Sequence, residues 1–168
     1  MGFEFYVEQS WLIPLLPLIG AVVAGFLGAR WLKGRSHWPI WIGVGLSALL
    51  SIGLLAATMN DVHHLGNHGG ATLGRSSHWF TWIEAGPFRA DAGAWIDPLT
   101  AVMLTVVCGI GLLICVFAAG YMKGEEGYFR FFAYLGLFIF AMTCLVMGNN
   151  FIMLYLGWEG VGLCSYLL

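Results

Sequence analysis

Charged residues are scarce in this sequence of 168 residues, because Asp, Glu, Lys and Arg together make up only 10% of it. A water-soluble domain carries roughly 25% charged residues. Hydrophobic residues account for 60% of the chain, which is more than a globule of this size can bury. These proportions exclude a soluble enzyme, a disordered chain and a secreted disulfide scaffold. They indicate a protein with several membrane-spanning segments.

The sequence also lacks an excess of positive charge and lacks cysteine motifs. Seven Lys and Arg stand against nine Asp and Glu, and nucleic-acid binding needs clustered positive charge, so we expect no nucleic-acid partner. The four cysteines form no Cys-x-x-Cys pair and lie in apolar runs; they are Cys108, Cys115, Cys144 and Cys164. We interpret them as buried hydrophobic side chains, and the sequence shows no redox centre of its own.

Five apolar stretches are long enough, or nearly so, to cross a hydrocarbon core about 30 Å thick as helices. They are residues 11–29, 38–59, 98–122, 128–147 and 150–168. Helices satisfy their own backbone hydrogen bonds in lipid. We therefore predict an all-α fold with about five transmembrane helices.

The loop between the second and third stretches divides into two parts. Residues 60–77 are rich in Gly, His and Asn and are predicted to be irregular. Residues 78–97 are aromatic and are broken in the middle by Gly86-Pro87, which predicts a small β-hairpin. Asp97 precedes a proline, and this pair is a start signal for the third helix.

Basic residues concentrate in two connections between the apolar stretches. They are Arg30, Lys33 and Arg35 in the first connection, and Lys123 and Arg130 beside the third stretch. Short loops rich in Lys and Arg face the cytoplasm. The N-terminus and the loop with the predicted hairpin are therefore expected outside.

One ionisable residue lies inside a predicted span. Glu159 follows Asn150 by nine residues, which is roughly 13 Å of helix and places it near the middle of the bilayer. Ionisable residues at such depths are costly and usually functional. Glycines at positions 157, 160 and 162 allow close helix approach or local unwinding. We predict that Glu159 transfers protons; the alternative is a neutral side chain that hydrogen-bonds across helices.

Histidines form the second candidate site. His63, His64 and His68 follow Asp61, and the spacing of four between His64 and His68 could hold a metal on a helix. The neighbouring glycines argue against a helix, so we interpret this stretch as a solvated loop without a metal.

Two segments carry a resemblance to a known family. Residues 124–134 read Gly-Glu-Glu-Gly-Tyr-Phe-Arg-Phe-Phe-Ala-Tyr, and residues 153–168 read Met-Leu-Tyr-Leu-Gly-Trp-Glu-Gly-Val-Gly-Leu-Cys-Ser-Tyr-Leu-Leu. They closely resemble subunit L (chain 5) of respiratory complex I, the proton-translocating NADH–quinone oxidoreductase. The resemblance is dense over residues 97–168, and before that it is mostly one of layout.

This resemblance implies a role for Glu159 and a set of partners. It implies that Glu159 matches the fifth-helix glutamate of an antiporter-like subunit, which exchanges a proton with a lysine on a later helix. It also implies that NADH, FMN, iron–sulfur clusters and quinone are bound by partner subunits. The other membrane-arm subunits and the lipid bilayer are the expected partners, in a bacterial-type inner membrane.

The family's later helices have no counterpart in the sequence, so it looks like an N-terminal fragment that is inactive alone. On this interpretation residues 1–97 hold the first two transmembrane helices and the outer loop. Residues 98–168 hold helices three to five, the start of the proton-translocation domain.

Two other functions stay open. A related subunit of the multisubunit sodium–proton antiporters is similar in its early helices, but its Trp-Glu is typically followed by Leu-Thr-Ser, where this chain has Gly160-Val161-Gly162. The other alternative is an assembly scaffold that transports nothing. Glu159 argues against a purely structural role, whereas the missing proton-transfer partners argue for it.

Overall fold

The computed structural model describes residues 3–66, 74–86 and 88–168 as a helical bundle with one β-hairpin. The helices are α1 (Phe3–Glu8), α2 (Leu12–Leu27), α3 (His37–Gly66), α4 (Pro98–Tyr121), α5 (Tyr128–Met147) and α6 (Phe151–Leu167). A π-helical turn (Gly28–Leu32) and a 3₁₀ turn (Lys33–Arg35) connect α2 to α3. The hairpin consists of β1 (Arg75–Ala85) and β2 (Phe88–Ile96).

Within the described residues, four helical segments are long and apolar enough to cross a membrane. They are Phe3–Leu32, His37–His63, Pro98–Tyr121 and Tyr128–Met147. The fifth predicted span forms α6, an apolar helix of 17 residues, which at 1.5 Å per residue is roughly 25 Å long. The prediction of a helical membrane protein with a small hairpin is confirmed.

The structure corrects the predicted irregular loop at both ends. Helix α3 continues to Gly66, and strand β1 already begins at Arg75. A glycine in a helix costs only about 1 kcal/mol, and extending an existing helix is much easier than starting one. The helix therefore runs past the apolar stretch into the polar segment. Residues 67–73 lie outside the described part of the chain.

Helix α1 is an element that the apolar pattern did not predict. It buries Phe3 and Val7 in a cluster with residues of α3 and α4, such as Leu54 and Leu104. Its Glu4 forms an exposed ion pair with the guanidinium of Arg75, so α1 and the hairpin lie at the same end of the bundle.

A proline inside α2 creates a polar group that another helix must satisfy. Pro17 has no backbone N–H, so the carbonyl of Ile13, four residues earlier, has no partner within its own helix. The buried hydroxyl of Ser47 on α3 donates to that carbonyl oxygen at 2.7 Å. An unsatisfied carbonyl in lipid costs several kcal/mol, so this bond fixes α2 against α3.

Small residues let the helices pack closely at the same interface. A Cβ atom on Gly43 would lie 2.5 Å from the carbonyl oxygen of Leu16, and one on Gly20 would lie 2.8 Å from that of Pro39. Both neighbours are backbone atoms that cannot rotate away. The glycines therefore set the distance between α2 and α3.

The hairpin lies across one end of the bundle. Its strands pair antiparallel from Arg75 opposite Ile96 to Ala85 opposite Phe88, with two irregularities in β1. Alternate residues of β2 are buried, namely Ala90, Ala92, Ala94 and Ile96. The strand then ends at Asp97, whose carboxylate accepts from the Thr100 amide at 2.7 Å and caps α4, as predicted.

Charges separate towards the two ends of the bundle. Five of the seven Lys and Arg lie in or beside the turns at residues 28–36 and 122–130, which we call the basic end. The hairpin, α1 and the turn between α5 and α6 form the opposite end, which we call the hairpin end. On the hairpin, a hydrogen bond from Arg89 holds the pKa of Asp91 below its usual value.

A pair of glycine substitutions in α3 tests the close packing. We expect Gly43→Ala to destabilise the protein by about 1–3 kcal/mol relative to Gly45→Ala, because its new methyl group meets the backbone of α2. Gly45 lies in the same helix, and a Cβ there would make only an ordinary contact with Leu112, 3.9 Å away. Unfolding in mixed micelles measures the difference, and equal stabilities would contradict it.

Candidate functional site

Helix α6, which carries Glu159, begins at a strong cap. The side-chain oxygen of Asn150 accepts from the backbone amides of Ile152 and Met153, both at 3.0 Å. An asparagine in this role stabilises a helix start by about 1 kcal/mol. The turn at residues 148–150 reverses the chain so that α6 packs against α5.

Two glycines bring α6 close to α5 on either side of Glu159. A Cβ on Gly157 would lie 2.6 Å from the backbone nitrogen of Leu145, and one on Gly160 would lie 2.9 Å from the Cβ of Ala141. Helix α6 is unbroken through both positions. These glycines therefore serve close approach, which the sequence predicted, and α6 is not unwound around the carboxylate in this structure.

The structure places Glu159 in the middle of α6, within the apolar length of the bundle. It is the ninth of the helix's 17 residues, and its neighbours in α6 contact α5 at Ala141 and Leu145, inside the segment Tyr128–Met147. An ionised carboxylate at this depth would cost at least about 2.5–3.5 kcal/mol in lipid.

The Glu159 side chain lies on the face of α6 that points away from α5. The residues of α6 that are buried in the bundle are Met153, Gly157 and Cys164. Tyr155 lies one helical turn before Glu159, and its phenol interacts with the carboxylate. Among the described residues, no Lys, Arg or His forms an ion pair with Glu159.

Aromatic side chains share this exposed face of α6. Phe151, Tyr155, Trp158 and Tyr166 follow one another at helical spacing and are between 64% and 88% exposed. The face combines a large apolar area with a single acid group. It can hold the acid in a neutral form, or it can hold the ionised form once a cation is brought next to it.

A polar cluster at the basic end was missed in the sequence. The hydroxyl of Tyr128, at the start of α5, is hydrogen-bonded to Nδ1 of His37, at the start of α3, at 2.7 Å. Beside them lies a cavity of about 660 Å³, and Lys123, Glu125 and Glu126 contribute to its lining. The two bonded residues are 91 positions apart in the chain, so no local pattern in the sequence could predict this contact.

The four cysteines lie in the interior of the bundle. All four cysteines are free and buried, which confirms their interpretation as core side chains.

His63 and His64 lie on the last turns of α3 instead of in a loop, and His68 lies outside the described residues. No cluster of three potential metal ligands occurs within residues 3–66, 74–86 and 88–168. The predicted loop is therefore wrong for His63 and His64, whereas the expectation that the histidines bind no metal stays a prediction.

Comparison with known proteins gives consistent matches. Residues 82–132 match the family model described as NADH-Ubiquinone oxidoreductase (complex I), chain 5 N-terminus. NADH-quinone oxidoreductase subunit L of Pseudomonas aeruginosa is 45% identical over 154 residues, which is 92% of this chain and 24% of the relative. Subunit L of Escherichia coli matches to the same extent.

More distant relatives match over a similar length. Subunit L of Mycobacterium tuberculosis is 40% identical over 96% of this chain, and NAD(P)H-quinone oxidoreductase subunit 5 of the Paulinella chromatophora chromatophore is 39% identical over 96%. The chain spans about a quarter of the length of these curated relatives.

The contact between α5 and α6 can be tested with two glycine substitutions in α6. We expect Gly157→Ala to push α6 away from the backbone of Leu145 and to make the buried thiols of Cys144 and Cys164 more reactive towards maleimide in micelles. Gly162→Ala is the control, because a Cβ at that position would meet nothing within 4 Å. Equal thiol reactivity in the two variants would contradict the assignment.

Proposed function

We propose that this chain forms part of the membrane arm of NADH–quinone oxidoreductase, because 92% of its length matches a subunit L and residues 82–132 match the chain 5 N-terminus. Its function there is proton translocation driven by electron transfer from NADH to quinone. The observation that carries the proposal is a carboxyl group, Glu159, held in the middle of an apolar helix inside a matching sequence.

In this proposal Glu159 gains and loses the transported proton. In apolar surroundings the neutral carboxyl is favoured, whereas an approaching cation favours the carboxylate, so moving the cation loads or releases a proton. The cation would come from the longer protein or from a neighbouring subunit, which would cover the exposed face of α6. Tyr155, which interacts with the carboxylate, would be the first hydrogen-bond partner on this chain.

The redox chemistry would take place in partner subunits. FMN, iron–sulfur clusters, NADH and quinone would be bound there. The cysteines of this chain do not fit an iron–sulfur cluster, because they are buried at separate places on three helices: Cys108 and Cys115 on α4, Cys144 on α5 and Cys164 on α6. The described residues also contain no cluster of three metal ligands.

The charge distribution supports an orientation in a bacterial-type inner membrane. The basic end, with five of the seven Lys and Arg, would face the cytoplasm. The N-terminus and the hairpin would then lie outside. Helix α6 would then start at the outer side of the membrane and carry Glu159 halfway along its length.

Replacing the acid is the direct test of the proposed role. In the full-length subunit within the assembled complex, we expect Glu159→Gln to lower the protons pumped per NADH oxidised by about tenfold or more, because the amide cannot exchange a proton. Glu125→Gln is a matched control, since Glu125 is exposed in the turn at the basic end. Proton uptake and NADH oxidation are measured in the same vesicles.

Two results would redirect the proposal. Unchanged pumping by the Glu159→Gln variant would refute the proton-transfer role and support an assembly scaffold that transports nothing. A different result would be that sodium efflux from vesicles requires this chain and that NADH oxidation proceeds without it. That result would identify a component of a sodium–proton antiporter instead.

The orientation is tested by single cysteines at the two ends. We expect Glu84→Cys, at the hairpin, to react with a membrane-impermeant maleimide added outside, and Gly34→Cys, at the basic end, to react only after the membrane is opened. Both positions are exposed, and the native cysteines are buried. The reverse pattern would place the N-terminus in the cytoplasm.

A further inference from the structure

Strand β2 contacts the turn that starts α6 at three successive points. The side-chain amide of Asn150 donates to the carbonyl oxygen of Asp91 at 2.6 Å. Ala94 and Gly148 form an antiparallel bridge. Between these two points, Asn149 fills the space left by Gly93, where a Cβ would lie 2.6 Å from its amide nitrogen.

The carboxamide of Asn150 has two separate tasks. Its oxygen caps α6 through the amides of Ile152 and Met153. Its nitrogen holds the hairpin through the Asp91 carbonyl, and it also donates to the side-chain oxygen of the neighbouring Asn149 at 2.7 Å. Ionised aspartate supplies a capping oxygen but no donor, and serine supplies one through a hydroxyl that ends one atom short of the Asn150 amide nitrogen, so neither can hold the Asp91 carbonyl as Asn150 does. The two tasks can therefore be separated by substitution.

The strand is itself held in place. Ala92, Ala94 and Ile96 of β2 are buried against the helix ends, and Asp97 at its end caps α4. The same nine-residue strand thus connects the start of α4 to the start of α6. Between the cap and Glu159 the helix is unbroken, so any shift or rotation of the turn is passed along α6 to the carboxyl group.

We propose that β2 and the turn at residues 148–150 form a clamp that sets the depth and rotation of α6 and so positions Glu159, with Asn150 as the positioning residue. This inference rests on the proposed function for its effect on pumping. The clamp gives the hairpin a role in proton transfer, although the hairpin lies outside the apolar length of the bundle.

The test compares three substitutions of Asn150 in the full-length subunit of the assembled complex. Asn150→Asp and Asn150→Ser keep the cap and lose the bond to Asp91, whereas Asn150→Ala loses both. We expect Asn150→Asp and Asn150→Ser to lower the protons pumped per NADH by roughly three- to tenfold, because a misplacement of about 1 Å can cost up to about a hundredfold in rate. NADH oxidation per complex should stay normal.

The controls distinguish positioning from loss of structure. Glu84→Gln alters an exposed residue of β1 and should pump normally. If Asn150→Asp and Asn150→Ser pump normally and only Asn150→Ala fails, Asn150 is merely a cap and the clamp is overturned. A variant that only failed to assemble would lower NADH oxidation and pumping together, without changing their ratio.

A second measurement does not depend on pumping or assembly. A hydrophobic carbodiimide modifies protonated carboxyl groups, and mass spectrometry can follow its attachment to Glu159 as the pH is varied in membranes. We expect the pH midpoint of this labelling to shift in Asn150→Asp and Asn150→Ser but not in Glu84→Gln. An unchanged midpoint overturns the clamp. A shifted midpoint together with normal pumping by Glu159→Gln would support the clamp and refute the proposed function.

Discussion

Polar groups inside an apolar medium need partners, and this requirement governs the structure. Pro17 leaves the Ile13 carbonyl without a donor in α2, and the Ser47 hydroxyl of α3 supplies one at 2.7 Å. The indole of Trp41 likewise donates to the Cys115 carbonyl of α4 at 3.0 Å. These bonds connect α3 to α2 and to α4. Glu159 differs from them, because no described cation pairs with it, and this difference is what suggests a function.

Close packing of small residues supplies the second constraint. Apolar side chains gain little by leaving lipid for one another, so helices in a membrane are held by contact and hydrogen bonding. Gly43 and Gly20 fix α2 against α3, and Gly157 fixes α6 against α5. Because each contact meets backbone atoms, the helices have little freedom to slide. A small displacement at the end of α6 would therefore move the whole helix with its carboxyl group.

Much of the architecture could be predicted from the sequence because its signals are local. Apolar length predicted α2 to α5, the Gly86-Pro87 break predicted the hairpin, and Asp97 before a proline predicted the start of α4. The extension of α3 to Gly66 was not predicted. The glycines there suggested a loop, but a helix that has already formed is easily extended through a few glycines. The candidate acid could be found by its unusual depth. Its support could not be predicted, since Asn150 and Asp91 are 59 residues apart.

The exposed face of α6 shows how a single acid could be coupled to events elsewhere. Aromatic side chains surround the carboxyl of Glu159, Tyr155 interacts with it, and no described cation pairs with it. Under the proposed function a cation that approaches this face would set the charge of Glu159, while α5 and the hairpin end behind it would fix its position. Under the proposed function the two tasks are separate, since β2 and α5 would hold the acid and a surface outside the described residues would bring the cation. An acid held in one place responds to an approaching cation in a defined way, so under the proposed function the close packing of α6 against α5 would be a condition for proton transfer.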